Sequence, residues 1–189
     1  MTDLQSYIAS YFGASQEDLD LIANHFVKTD LKKGSFFIRE GQYCDKLSFI
    51  RQGYIRVSAQ SGTKEVTQWI GSKGYFLTDL SSFIFKKRAR WQMQALSDCQ
   101  FYTIYQTEYE QLKRLVPNWV EIEKNFIAGC FVMLEDRIFS QLSLSAEERY
   151  DQLFEQNRAL FNHVPMQYLA SMLGMTPETL SRIRKKKLS

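Results

Sequence analysis

Between Leu31 and Tyr105 the sequence is broken at Gly34, Gly41, Gly53, Gly62, Gly71 and Gly74, and the pieces between are short, aromatic and β-branched. Pieces of that length and texture suit strands better than helices, and glycine takes the backbone conformations that tight turns require. The clearest unit is "GYIRVSAQSGTKEVTQWI". Its alternation puts Tyr54, Arg56 and Ser58 on one face of a strand and Ile55 and Val57 on the other, with "SGTK" as the turn. Many short strands joined by tight turns predict an antiparallel barrel or jelly roll.

On both sides of this stretch the periodicity is helical. Leu4, Ile8 and Tyr11 share one face, and after the N-cap candidate Ser15, Leu19, Ile22 and Phe26 share another, so two short helices open the chain. "TEYEQLKRLVP" is a further short helix, ended by Pro117 or restarted there with the proline in a first turn. Residues 118–142 then place Trp119, Ile122, Phe126, Gly129 or Cys130, Met133 and Arg137 at three- and four-residue steps over about six turns. A helix that long needs a neighbour along its length. Periodicity alone admits two: the helix's own barrel, or a second copy of the chain, with Gly129 permitting close approach. A capping box, Ser145 with Glu148, starts a new helix whose face is Tyr150, Leu153 and Phe154, and it marks a domain boundary. The expected class is α+β, divided into residues 1–116, 117–142 and 143–189.

The chain has 189 residues and 44% hydrophobic content, enough to bury a core. No run approaches the roughly 18 apolar residues of a membrane span, and the N-terminus lacks the basic start and apolar stretch of a signal peptide. A soluble cytoplasmic protein with no membrane partner is expected. Cys44, Cys99 and Cys130 are widely spaced and odd in number, and His25 and His163 are isolated, which suits neither a disulfide framework nor a metal site. With no P-loop, nucleophile elbow or zinc spacing, catalysis is not expected. Net charge is only +3, but it is unevenly spread. Residues 177–189 carry Arg182, Arg184, Lys185, Lys186 and Lys187 against the single acid Glu178, and a second acid-free cluster holds Lys86, Lys87, Arg88 and Arg90.

"MQYLASMLGMTPETLSRIRK", residues 166–185, meets each physical demand of a helix-turn-helix. Leu169, Ala170 and Leu173 give the first helix an apolar face with a small residue at the crossing, and Gly174 supplies the turn. Met175, Leu180 and Ile183 are the inward set of the second helix, with Thr176 as N-cap and Pro177 in the first helical position. Glu178, Thr179, Ser181, Arg182 and Lys185 lie outward. Arg182 is placed for bidentate contact with guanine, and Glu178 for a cytosine amino group or for bracing Arg182. Thr176 and Thr179 suit phosphates, and Arg184, Lys185, Lys186 and Lys187 suit the DNA backbone. A helical hairpin with a solubilising tail is the plainer reading of the same residues.

"VPMQYLASMLGMTPETLSRIRKK" resembles the helix-turn-helix of the CRP/FNR family of bacterial transcription regulators, whose recognition helix carries Glu-Thr followed by Arg-Ile in the spacing of Glu178, Thr179, Arg182 and Ile183. "LKKGSFFIREGQYCDKLSFIRQGYIRV" resembles that family's cyclic-nucleotide-binding-type β-roll, a double-stranded β-helix, with Gly34, Gly41 and Gly53 at turn positions. Residues 118–142 fall at its dimerisation helix. The resemblance implies a homodimeric transcription regulator that reads a palindrome in double-stranded DNA, with RNA polymerase as a further partner. It implies a seam through Trp119, Ile122, Phe126, Gly129 and Met133. "FNHVP" leaves little room for the usual hairpin before the first motif helix, and the chain stops where further winged-helix elements can follow, so a reduced or absent wing is expected. A DNA-binding unit this small is expected to lean on the long helix.

Members that bind cyclic AMP use a glycine, a glutamate and an arginine that here align with Thr78, Asp79 and Ala89. These departures argue against cyclic AMP. No cofactor is identified, and another small ligand stays open, with Thr78, Asp79, Leu80, Ser81, Arg88 and Arg90 as candidate pocket residues. The aromatic residues nearby, Tyr75, Phe76, Phe83, Phe85 and Trp91, read as core. A second reading of the whole chain is a ligand-binding or protein-interaction β-roll whose C-terminal motif no longer binds DNA.

Overall fold

A computed structural model describes residues 1–188. Two helices come first, α1 (Asp3–Phe12) and α2 (Gln16–Ala23), each started by a side chain that satisfies free amide groups. Thr2 and Gln5 form a capping box on α1, and Ser15 caps α2 as the sequence predicts.

Eight strands follow: β1 (Val27–Leu31), β2 (Phe36–Ile38), β3 (Lys46–Gln52), β4 (Ile55–Ser61), β5 (Lys64–Gly71), β6 (Phe76–Leu77), β7 (Gln92–Ala95) and β8 (Cys99–Tyr105). They form two antiparallel sheets, ordered β1-β8-β3-β6 and β2-β7-β4-β5, with a short helix α3 (Leu80–Phe85) between β6 and β7. This is the expected jelly roll. One core lies inside the roll, around Ile50, Val57, Met93 and Phe101. A second lies on the outer face of the first sheet, where Leu47 and Phe49 meet the helices.

The roll leads into α4 (Gln106–Leu115) and α5 (Trp119–Ser143), and the chain turns between them at Pro117 and at Asn118, which has a left-handed φ of 61°. Four more helices follow: α6 (Ala146–Gln156), α7 (Leu160–His163), α8 (Met166–Met172) and α9 (Pro177–Leu188). Ser145 and Glu148 form the expected capping box on α6. Among the described residues no strand follows β8, and the "FNHVP" segment is the single turn α7. Among the described residues no helix is long and apolar enough to cross a membrane.

The long helix α5 corrects the expected seam. Trp119, Ile122 and Phe126 are buried inside their own chain, where Phe126 stacks on Phe12 at 4.5 Å and Trp119 on Phe12 at 5.9 Å. Met133 is half-buried and faces the same way, and Gly129 is exposed. The reason is that α5 carries two apolar stripes. One runs through Trp119, Ile122, Phe126, Cys130 and Met133 and faces the protomer. The other, through Val120, Phe131, Ile138 and Leu142 with Val132 and Phe139 beside it, lies about a third to half a turn around the helix and is exposed. Phe126→Ala is therefore expected to lower unfolding free energy by about 3–5 kcal/mol in urea, with the association state unchanged in sedimentation equilibrium.

Candidate functional site

The turn between α8 and α9 is built by local chemistry. The Gly174 N–H donates to the Ser171 carbonyl at 3.1 Å and the Met175 N–H to the Ala170 carbonyl at 3.0 Å, a Schellman closure that needs the left-handed φ of 67° at Gly174. The Thr179 N–H donates to the Thr176 hydroxyl at 3.2 Å, so Thr176 caps α9 as predicted. Leu169, Ala170, Leu173, Leu180 and Ile183 are buried together, which holds α9 against α8. The Arg149 side chain donates to the carbonyls of Leu144 and Leu173 at 2.6 and 2.9 Å, tying the end of α5 to the end of α8 through carbonyls that helix ends leave unpaired.

The outward face of α9 presents Glu178, Ser181, Arg182 and Lys185 to solvent at helical spacings of three and four. Arg182 and Lys185 have no hydrogen-bond or ion-pair partner among the described residues. Thr179 and Arg184 are half-buried. Lys186 and Lys187 lie among acids of α6: Lys186 pairs with Glu147 at 3.1 Å, and Lys187 with Asp151 at 2.8 Å and Glu147 at 3.2 Å. These exposed pairs hold the end of α9 against α6 only weakly.

Support for the helix pair comes from the roll, not from the long helix alone. Both faces of the first half of β4, residues 55–58, are buried. Ile55 and Val57 fill the roll, whereas Arg56 and Ser58 lie under α8 and the neighbouring polar residues. Arg56 donates through Nε to the Thr67 hydroxyl at 2.8 Å and through Nη1 to Glu65 at 2.7 Å, and its guanidinium lies 3.9 Å from the ring centre of Tyr168 on α8. The Thr67 N–H, on the edge strand β5, donates to the Ser171 hydroxyl at 2.9 Å. Tyr54 stacks on His163 at 5.3 Å, Asn157 donates to the Ser72 hydroxyl at 3.0 Å, and Ile70 lies in the core of the C-terminal helices. Burial works against ionisation of Glu65, but hydrogen bonds from Arg56 and Ser58 outweigh it and hold the carboxyl below the usual range.

The residues aligned with the nucleotide cassette are arranged differently from a phosphate cradle. The Asp79 carboxylate is buried and caps α3, accepting from the Ser82 N–H at 2.9 Å and from the Arg90 and Trp91 N–H groups at 3.0 and 3.3 Å. Thr78 donates its hydroxyl to the Lys46 carbonyl at 2.9 Å. Ala89 is buried, bonded through its backbone to Gln42 and Gly41. Arg88 is exposed, donating to the Gly41 carbonyl at 2.8 Å. Thr78, Asp79, Leu80, Ser81 and Arg90 all line a cavity of about 340 Å³ between the roll and α5, with Arg90 exposed at its rim beside Trp91, whereas Arg88 does not reach it. Of the aromatic residues expected in the core, Phe83 is buried there, Tyr75, Phe76 and Trp91 pack against the core while also lining this cavity, and Phe85 is exposed. Burial pushes the Cys130 thiol, on the same wall, up to about 11, so it is not a ready thiolate.

Such a roll, followed by a long helix and a C-terminal helix group, is the fold of CRP-like proteins. Residues 28–114 match the cyclic nucleotide-binding domain family. No curated protein sequence matches the chain. Among solved structures, the c-di-GMP-responsive global regulator CLP of Xanthomonas campestris shares 16% identity at a TM-score of 0.68, covering 92% of this chain and 92% of its own. FixK2 of Bradyrhizobium japonicum shares 17% at 0.69, covering 85% and 83%. The catabolite activator protein of Thermus thermophilus shares 18% at 0.59, covering 95% and 85%. At these identities the likeness is one of fold.

The seat on the roll yields a pH prediction. A carboxyl whose folded pKa is depressed stabilises the fold above its ordinary pKa and loses that contribution as pH falls through the folded value. The gap in urea midpoint between the native chain and Glu65→Gln is expected to narrow as pH drops below about 4, and a gap constant from pH 7 to 3 contradicts the assignment.

Proposed function

We propose that this chain is a DNA-binding transcription regulator of the CRP/FNR type, working in the cytoplasm as a homodimer that reads a palindromic operator. The observation that carries this reading is the outward face of α9, where Arg182 and Lys185 are exposed and unpaired among the described residues while Leu180 and Ile183 fix the helix from behind. Arg182 reads guanine edges, Glu178 and Ser181 read neighbouring bases, and Thr176, Thr179, Arg184 and Lys185 meet phosphates. Lys186 and Lys187 reach phosphates by exchanging their pairs with Glu147 and Asp151. In this reading residues 1–116 form the sensor, 117–142 the dimerisation helix and 143–189 the reader.

The exposed stripe of α5, Phe131, Val132, Ile138 and Phe139, supports the dimer, because its members recur seven residues apart as in a paired helix seam. Gly129 lies exposed near its start, with open space where a side chain would stand.

The same reading excludes cyclic AMP as the signal. Asp79 accepts from three backbone amides in capping its own helix and loop, and Ala89 offers no charge to a phosphate. Millimolar cyclic AMP is expected to leave the melting temperature unchanged, and a clear rise contradicts this.

Fluorescence anisotropy with genomic and random duplexes tests the DNA assignment. Arg182→Ala should weaken preferred sites by about 1–3 kcal/mol and relax base preference. Lys185→Ala should weaken all duplexes alike and reduce the salt slope by about one. Phe139→Glu should yield a folded monomer in sedimentation, with DNA affinity falling to the non-specific level. No binding of the native chain at low salt overturns the proposal.

A further inference from the structure

The acid-free basic cluster that neither the fold nor α9 accounts for, Lys86, Lys87, Arg88 and Arg90, lies directly after α3. Five consecutive residues there, Ile84 to Arg88, are exposed, while Phe83 before them and Ala89 after them are buried. The segment is therefore a tip anchored at both ends. Phe85 is 68% exposed, and Tyr43, 59% exposed between β2 and β3, has its ring 5.3 Å from the Arg88 guanidinium. The Lys87 ammonium lies 5.9 Å from the Phe85 ring. Rings and cations are interleaved on one surface.

Two features make this tip unfavourable for the fold alone. Phe85 and Ile84 leave apolar area in water. Lys86 has a left-handed φ of 55° at the C-cap of α3, where glycine would be free of strain. None of the three cations at the tip forms an ion pair among the described residues. Lys86 donates to the Phe83 carbonyl at 3.1 Å and Arg88 to the Gly41 carbonyl at 2.8 Å. Glu110, near enough to feel Lys86, is paired with Lys113 at 3.0 Å. The exposed acids Glu40 and Asp45 pair with none of these cations, and Arg39 and Lys46 beside them balance their charge. The surface keeps the positive charge of Lys86, Lys87 and Arg88.

That charge calls for an anionic partner and the exposed rings for an apolar one, both at one surface. A duplex offers phosphates but keeps its bases stacked inside, which rewards the lysines and not Phe85 or Ile84. We propose that the α3 tip docks peripherally on an anionic lipid bilayer. Ile84, Phe85 and Tyr43 enter the boundary between headgroups and acyl chains, and Lys86, Lys87 and Arg88 meet headgroup phosphates. Apolar burial and attraction to anionic lipid add at such an interface. No spanning segment is needed, and neither the cavity behind Arg90 nor the face of α9 takes part.

The test is flotation of the full-length protein with vesicles of phosphatidylcholine alone, and of phosphatidylcholine and phosphatidylglycerol in equal parts. The anionic vesicles should bind the native chain at least about tenfold more tightly than the neutral ones. Lys87→Gln should weaken that binding about fivefold, and Phe85→Ser roughly tenfold. Lys86→Gly should also weaken it about fivefold, without lowering the melting temperature, because glycine relieves the left-handed backbone. Duplex affinity should be unchanged in all three variants. Equal binding to both kinds of vesicle, or binding to neither, overturns the proposal. So does anionic-vesicle binding that survives the three tip variants and is lost when Arg182→Ala and Lys185→Ala are combined, which puts the lipid contact on α9. Tip variants that weaken duplexes and vesicles alike make the tip a general phosphate contact and overturn it too. The vesicle readouts do not depend on whether α9 reads an operator.

Discussion

The arrangement of the C-terminal third depends on how one buried cation is compensated. Arg56, only 3% exposed, sits on the outer face of the sheet β2-β7-β4-β5, which water would otherwise solvate. Leaving such a charge unpaired costs about 3–5 kcal/mol. Glu65 and Thr67 on the adjacent strand take up its donors, and Tyr168 covers its face. Hydrogen bonds to a charged group contribute about 1.5–3 kcal/mol each, enough to offset much of that penalty. With Arg56 satisfied mainly by its own hairpin, the outer face of β4 and β5 can accept a helix in place of solvent. The Ser171 hydroxyl then receives the otherwise open Thr67 N–H of an edge strand, which also removes an exposed pairing edge.

From that seat the rest follows. The C-terminal helices are few, and Tyr54, Ile70 and Leu96 of the roll complete their core. The roll, the long helix and the C-terminal helices therefore share side chains, and a cleft at Arg137 is bounded by all of them. What the C-terminal helices gain in support from the roll they give up in independence: β5 and the end of α5 are tied to α8 through Ser171, Arg149 and Gln141.

The α8–α9 helix pair was legible because its determinants are local. Gly174, Thr176 and the spacing of Leu169, Leu173, Leu180 and Ile183 each act within a few residues, and each stands where the pattern predicts. The roll was legible from glycine spacing, since Gly53, with φ +97°, also stands where a Cβ would meet the Asp98 carbonyl oxygen at 2.6 Å. The choice of face on α5 was not. Following apolar residues at three- and four-residue steps from Trp119 traces one stripe, and that stripe turns inward because Phe12 and Phe49 need cover from outside the sheet. The second stripe shares the helix and differs only in what packs against it. Nor could spacing reveal that Asp79 is consumed by amides of Arg90 and Trp91, eleven and twelve residues on.

The most direct test of the account is selection of duplexes from a random pool by the full-length protein at moderate salt, followed by sequencing. Two α9 helices presented by a symmetric dimer should enrich an inverted repeat whose half-sites are centred about one helical turn apart, with guanine at the positions that Arg182→Ala makes indifferent. Recovery of a pool without enriched sequence, or of a single half-site without two-fold symmetry, contradicts it.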